Sequence, residues 1–206
     1  KMHACETMGA VSVICTDKTG TLTQNQMRVT EAFFSEEYLA NGFVSESLSL
    51  NSSANLDLSD AEKPKVIGNP TEGALLLWLK ERGIDYLKFR GQTEVIEKLP
   101  FTTENKYMAT VISSKALGKK VLLVNGAPEI ILQMCKSFDE CFSAEVVKET
   151  LPGFQKKAMR TLGFAYKFIE SEGSVIEDRK LKDLDLCFMG MTGIVDPVRA
   201  DVPTAV

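Results

Sequence analysis

At 206 residues the chain can hold one large domain, or one domain with part of another. Its 44% hydrophobic and 25% charged residues suit a globular chain with a buried core. A net charge of −4 at pH 7 argues against nucleic acid, or an anionic membrane surface, as a general partner. The longest apolar runs, such as residues 74–79 ("ALLLWL"), fall far short of the roughly 20 residues that a membrane span needs, and no signal-peptide pattern precedes them. The five cysteines (Cys5, Cys15, Cys135, Cys141 and Cys187) are odd in number and lack metal-type spacing, and the single histidine, His3, lies far from most of them. Reduced, buried thiols in a cytosolic setting are expected. The chain begins at Lys1 and runs out of an expected strand at its other end, so it reads as a segment of a longer protein.

In chain order, residues 10–15 ("AVSVIC") are short, apolar and β-branched and predict a buried strand. Residues 35–65, rich in Ser, Asn and acids, predict a long irregular connection. Residues 68–83 ("GNPTEGALLLWLKERG") predict a helix: Asn69 as N-cap, Pro70 in the first turn, Glu72 completing a capping box and Gly83 as the stop. "TEVIEKLPF", "KYMATVISS" and "KKVLLVN" read as strands, the last two joined by a hairpin at "KALG". "APEIILQMC" and "SAEVVKETLPGFQKKAMRTLG" read as helices, with Pro152-Gly153 expected to break or kink the second. "FAYKFIE" and "LDLCFMGMTGIVD" close the chain as strands. The middle is therefore antiparallel sheet with helices, between flanking strands that look parallel and buried. Met189 and Met191 are expected to be core.

The chemistry concentrates in residues 15–27, "CTDKTGTLTQNQM". Asp17 could simply bond nearby amides in a polar turn. Neither G-x-x-x-x-G-K-[ST] nor G-x-G-x-x-G is present, so a glycine cradle for phosphate is excluded. If Asp17 handles phosphate, it does so as a nucleophile or as a Mg2+ ligand. Lys18 supplies positive charge, Thr19 and Thr21 supply hydroxyls, and Gly20 allows close backbone approach.

"DKTGTLT" (residues 17–23) resembles the phosphorylation motif of the P-type ATPases, ion pumps that cycle through an aspartyl phosphate. Five further segments resemble that family in order: "NPTEGALL", "PFTTENKYMATV", "NGAPEIIL", "AMRTLGFAY" and "GIVDPVR". The stretch "ACETMGAVSVICTDKTGTLTQNQM" is most similar to the type II calcium pumps, particularly the calmodulin-regulated plasma-membrane and plant branch.

The resemblance implies an α/β fold: an antiparallel sheet flanked by helices, the nucleotide-binding domain, inserted into a haloacid-dehalogenase-like Rossmannoid phosphorylation domain of which only part is present. Residues 1–27 would open the phosphorylation domain, 28–188 would form the nucleotide-binding domain, and 189–206 would return to the first. Asp17 would accept the γ-phosphate of ATP, Mg2+ would bridge Asp17 and the phosphoryl oxygens beside Thr19, and Lys18, Thr19 and Thr21 would steady the group. Glu72, Phe101, Lys106, Asn125, Gly126 and Arg160 would face ATP. Phe101 would stack under the adenine, a contact of about 1–3 kcal/mol, although a Phe is by default a core residue. Arg160 would reach the phosphates, although it could merely pair with a helix acid. Asn125 stands where the family has lysine, so the pocket should be less electropositive. Partners would be ATP and, in the parent at the cytoplasmic face of a membrane, the transmembrane and actuator domains and the transported cation. The alternatives are a soluble haloacid-dehalogenase-type phosphohydrolase, against which Thr19 stands where a second Asp is usual, and a stand-alone ATP-binding module.

Overall fold

The computed structural model describes residues 12–13, 15–60, 64–170, 173–182 and 185–205. Its backbone divides into two units, residues 27–195 and residues 1–26 with 196–206. In the larger unit the chain runs through β1 (Arg28–Phe34), α1 (Glu36–Ala40), α2 (Phe43–Leu50), β2 (Asn55–Asp57), β3 (Lys65–Ile67), α3 (Pro70–Glu81) and α4 (Tyr86–Gln92). It continues through β4 (Val95–Leu99), β5 (Tyr107–Ser114), β6 (Lys119–Gly126), α5 (Pro128–Met134), β7 (Cys135–Phe138) and α6 (Ala144–Lys156). It ends in β8 (Arg160–Phe168), β9 (Ile176–Glu177), β10 (Lys180–Leu181) and β11 (Leu186–Val195).

Six strands lie in the order β1-β11-β8-β6-β5-β4, antiparallel throughout, and β7 joins β11 in parallel. The uninterrupted apolar run of β6 follows from its place in the middle of this sheet. Val121 and Leu123 turn to one core, with Phe43, Leu75, Leu79 and Phe164, while Leu122 and Val124 turn to the other, with Ile131, Val147 and Phe188. Helices α2 and α3 cover one face and α5 and α6 the other, so a central strand needs apolar residues at every position. Met189 and Met191 are buried, one in each core.

Helix α3 forms as its sequence dictates. The Asn69 side chain accepts from the N–H groups of Thr71 and Glu72, and Pro70 occupies the first turn. At the other end Gly83 takes φ +74, with Gly83 N–H bonded to Lys80 O and Ile84 N–H to Leu79 O. This is a Schellman stop, and the left-handed residue is the glycine. The capping box is only half made: the Glu72 carboxylate turns away to residues 52–53.

Several expectations are corrected. Residues 35–65 are not an irregular connection. They carry α1, α2 and β2, and every residue of α2 is buried. Its alternating serines disguise a core helix, in which Ser49 Oγ donates to Ser45 O at 2.6 Å. The Glu46 carboxylate is likewise enclosed by donors. Pro152 does not end α6, because Val147 and Phe154, buried on either side of it, hold the helix against the loss of one backbone bond. The helix stops at Lys156, Ala158 takes φ +53, and Arg160 already opens β8, so the helix reading of residues 158–163 fails. Strand β11 is buried as expected, but it pairs antiparallel with β1 and β8 and is parallel only to the short β7, over Leu186–Phe188. Helix α4 and strand β7 carry too little periodicity in 7 and 4 residues to stand out.

In the smaller unit, residues 10, 11 and 14 of the expected first strand lie outside the described residues. Ser12, Val13 and Cys15 carry no strand and are exposed, Val13 at 74%. A buried parallel strand requires neighbours on both sides, and among the described residues of this unit the only ladder contact is the single bridge Thr23–Val198. A short helix, α7 (Val202–Ala205), ends the described chain. The thiols are also less uniform than expected: Cys135 is buried and Cys187 half-buried, but Cys15 and Cys141 are exposed, while Cys5 lies outside the described residues. None of these four described cysteines is disulfide-bonded.

Candidate functional site

Where the ends of β5, β6 and β8 meet the N-terminus of α3, the larger unit opens a cavity of about 330 Å3. Glu72, Phe101, Lys106, Asn125, Gly126 and Arg160 all line it, together with Asn69, Thr71, Met108 and Leu162. Six residues scattered over positions 72–160 thus meet at one place. The sheet does this by register: Gly126 lies opposite Tyr107 on one side and Gly163 on the other, and Asn125 lies between Met108 and Phe164.

The cavity has a buried floor and an exposed, cationic rim. Glu72 is 6% and Asn125 4% exposed, whereas Lys106 and Arg160 are exposed and Phe101 is 47% exposed. Phe101 is therefore not the core residue that its type would suggest. Its ring stands at the mouth, an open apolar face for a planar ligand. Arg160 pairs with no helix acid through the bond it makes: its Nη1 donates to Thr71 Oγ1 at 2.7 Å, which tethers the guanidinium at the first turn of α3. Lys106 sits at φ +59, a left-handed conformation fixed by Lys106 N–H to Thr102 O at 2.8 Å and Ala127 N–H to Lys106 O at 3.0 Å.

Gly126, Glu72 and Asn125 are each fixed by neighbours within the fold. Gly126 is a glycine because of its neighbour strand: a Cβ there would stand 2.3 Å from Lys106 O and 2.7 Å from Tyr107 Cα. Glu72 Oε2 accepts from Ser52 Oγ at 3.1 Å, Ser53 Oγ at 2.9 Å and Ser53 N–H. Asn125 Oδ1 accepts from Asn51 Nδ2 at 2.7 Å, and Asn51 Oδ1 in turn accepts from Thr110 Oγ1 at 2.8 Å. Asn51, Ser52 and Ser53 carry no site signal in the sequence because they lie in the polar stretch 35–65, whose composition predicts an irregular connection.

In the smaller unit, Asp17 precedes the turn Lys18–Leu22 with an extended backbone, and its exposed carboxylate makes no cap bond to the turn's amides. The polar-turn explanation of Asp17 is thus not met. Thr19 (φ −78, ψ 122) and Gly20 (φ 79, ψ −17) have the torsions of the two central residues of a type II turn, whose second position demands glycine. Lys18, Thr19 and Thr21 are exposed on this turn or beside it. Thr23 and Asp196 hold it: Thr23 Oγ1 donates to Asp196 Oδ2, Gly20 N–H donates to Thr23 Oγ1 at 3.2 Å, and Gln26 N–H donates to Asp196 Oδ1 at 3.1 Å. Sequence reasoning gave Asp196 no role, although "GIVDPVR" carried the signal.

Among the described residues no three His, Cys, Asp or Glu side chains converge as a metal cage. One exposed carboxylate is what a Mg2+ ion uses when substrate phosphates and water complete its shell, and the exposed Asp17 carboxylate offers one. No helix among the described residues is long and apolar enough to cross a membrane.

Residues 41–201 match the model of a family described as P-type ATPase, cytoplasmic domain N. The chain is 34% identical over 225 residues to calcium-transporting ATPase PAT1 of Dictyostelium discoideum, covering 100% of this chain and 20% of that protein. It is 31% identical over 233 residues to plasma membrane-type calcium-transporting ATPase 5 of Oryza sativa subsp. japonica, covering 100% and 21%. With calcium-transporting ATPase 1 of Lactococcus lactis the figures are 32% over 217 residues, 98% and 24%. The chain thus spans between a fifth and a quarter of the length of these curated relatives.

Proposed function

This chain belongs to the P-type ATPase family, and on that premise we propose that its larger unit binds ATP and that Asp17 receives the γ-phosphoryl group. The observation that carries the reading is the convergence of Glu72, Phe101, Lys106, Asn125, Gly126 and Arg160 on one cavity. The base enters beside Phe101, and the exposed Lys106 and Arg160 meet the phosphates at the rim. In the transfer step an oxygen of the Asp17 carboxylate bonds to the γ-phosphorus while the bond from that phosphorus to the bridging oxygen breaks, and ADP leaves with the electron pair. Lys18, Thr19 and Thr21 offer charge and hydroxyls to the phosphoryl oxygens. Mg2+, when bound with ATP, neutralises part of the phosphate charge.

The parent is proposed to be a cation pump of membranes, with the phosphorylation site on the cytoplasmic side. Calcium is the proposed cargo because the relatives above carry it in their names. Residues 1–26 and 196–206 are proposed to belong to a haloacid-dehalogenase-like phosphorylation domain into which residues 27–195 are inserted. The remaining partners are then the actuator and transmembrane parts of the same parent.

The test is made on the full-length parent. Incubation with γ-labelled ATP is expected to give an acid-stable, hydroxylamine-sensitive label that Asp17→Asn abolishes while nucleotide binding persists. Label surviving on the Asp17→Asn protein would remove Asp17 as the nucleophile.

A further inference from the structure

Lys106 is backed by residues that do not line the cavity. Its two chain neighbours, Asn105 and Tyr107, are both bonded to the short hairpin of β9 and β10. Asn105 Nδ2 donates to Arg179 O at 3.1 Å, and Leu181 N–H donates to Tyr107 Oη at 3.2 Å. The hairpin pairs Glu177 with Lys180 and Ile176 with Leu181, so its loop is the two residues Asp178 and Arg179. Both are left-handed, at φ +48 and φ +60. A two-residue hairpin loop favours that conformation, but its usual second residue is glycine. Arginine there is strained, and such strain persists where the surroundings hold it. Asn105 supplies that hold at Arg179 O.

The hairpin is itself anchored in the body of the unit. Val175 is buried in the second core, Ile176 and Leu181 pack against that core, and Lys182 N–H closes the base of the hairpin on Val175 O at 3.0 Å. Ser174 Oγ donates to Glu97 Oε2 of β4 at 2.7 Å. On the other side, residues 102–106 form a tight turn: Lys106 N–H bonds Thr102 O at 2.8 Å, and Asn105 N–H bonds Thr102 Oγ1 at 3.1 Å. The exposed Lys180–Glu104 pair, at 3.9 Å, adds little. Two left-handed positions, Lys106 and Arg179, are thus linked through the Asn105 side chain. A lysine side chain is rich in rotamers, and one that leaves a fixed backbone gives up less freedom on meeting a phosphate.

We propose that the hairpin of residues 174–181 aims Lys106 at the phosphates of the bound nucleotide, with Asn105 and Tyr107 as the positioning residues that join the two. Lys106 is the group that meets the phosphates, and Asn105 and Tyr107 act through it. The inference rests on the nucleotide reading given above and deepens it, because loss of the hairpin's hold is then felt by the phosphates and not by the base.

The experiment is titration of the 206-residue protein with ATP and with adenosine, which shares the base and sugar but carries no phosphate, followed by backbone amide NMR shifts. Asn105→Ala and Tyr107→Phe, each checked for native thermal unfolding, remove one bond to the hairpin apiece. Each is expected to weaken ATP by roughly three- to tenfold and to leave adenosine unchanged. In a Lys106→Met background the same substitutions are expected to change ATP affinity by less than about twofold, because the group they position is gone. A merely structural loss would weaken adenosine together with ATP. That outcome, unchanged ATP affinity in both folded variants, or a full further loss in the Lys106→Met background would overturn the proposal while leaving ATP binding in place. Absence of any nucleotide binding by the folded protein would overturn both it and the reading beneath it. Amide hydrogen exchange on the unmutated protein decides the matter even if the variants fail to fold. ATP, and not adenosine, is expected to slow exchange at Lys106 and Leu181, and an unaltered rate at Leu181 under saturating ATP would contradict the link.

Discussion

The Lys106 carbonyl oxygen lies so close to Gly126 that a methyl group at position 126 would stand 2.3 Å from it. The same carbonyl accepts from Ala127 N–H at 3.0 Å, and Lys106 is held left-handed at φ +59. Backbone closeness, left-handed strain and a cavity-lining lysine therefore coincide at one crossing of β5 and β6. Gly126→Ala is expected to push β5 away from β6 and to cost about 1–3 kcal/mol, the usual penalty of overpacking. The denaturant midpoint of the purified chain measures this, and an unchanged midpoint would mean that the crossing yields freely.

Phe101 is the separable part of the cavity because the residue is 47% exposed. Phe101→Ala is expected to leave thermal unfolding nearly unchanged and to weaken ATP binding by about 1–3 kcal/mol through lost stacking. Equal affinities of the two folded proteins for ATP would show that the base lies elsewhere.

Glu46 is the buried hinge pin of the region that composition disguised. Its carboxylate, fully closed to solvent, accepts from Thr93 Oγ1 at 3.0 Å, from Lys115 N–H at 2.8 Å and from Ser114 Oγ. Glu46→Ala strands three donors at once and is expected to cost about 3 kcal/mol or more. Chemical denaturation reads the loss, and a change of under about 1 kcal/mol would mean that this carboxylate does not anchor α2.

Thiol chemistry offers a pH-dependent check of the second core. Burial pushes the Cys135 thiol up to about 12 from its ordinary 9.0. The folded state thus disfavours the thiolate, so its contribution to stability is complete below about pH 9 and is lost as pH climbs towards 12. At pH 8 an alkylating reagent is expected to modify the exposed Cys15 and Cys141 and to spare Cys135 until the protein unfolds. Mass spectrometry after brief labelling reads the order. Early modification of Cys135 would contradict its packing among Ile131, Val147 and Leu186.

The legible part of this molecule is the part where one signal dominates. Helix α3 declared itself through Asn69, Pro70 and Gly83, because caps are local chemistry. Strand β6 declared itself because residues closed on both faces leave the unbroken apolar run Val121–Val124, and β5 through a largely apolar stretch interrupted by Thr110. The segment of Ser45, Ser47, Ser49 and Asn51 was illegible because the Ser49 hydroxyl and the Asn51 amide find partners that composition cannot reveal. Ser49 turns to its own helix, and Asn51 reaches Thr110 and Asn125, 59 and 74 residues away. The six cavity residues were legible through motif likeness alone. What that likeness could not supply was how each is held: Arg160 by Thr71, Asn125 by Asn51, Glu72 by Ser52 and Ser53.

The central claim is that residues 27–195 carry an ATP site at this cavity, and backbone amide NMR shifts during an ATP titration test it most directly. The largest shifts are expected at Glu72, Phe101, Lys106, Asn125, Gly126 and Arg160, with Asn51 and Thr71 following because they hold two of these side chains. Shifts confined to other surfaces of the folded protein, or none at millimolar ATP, would contradict it.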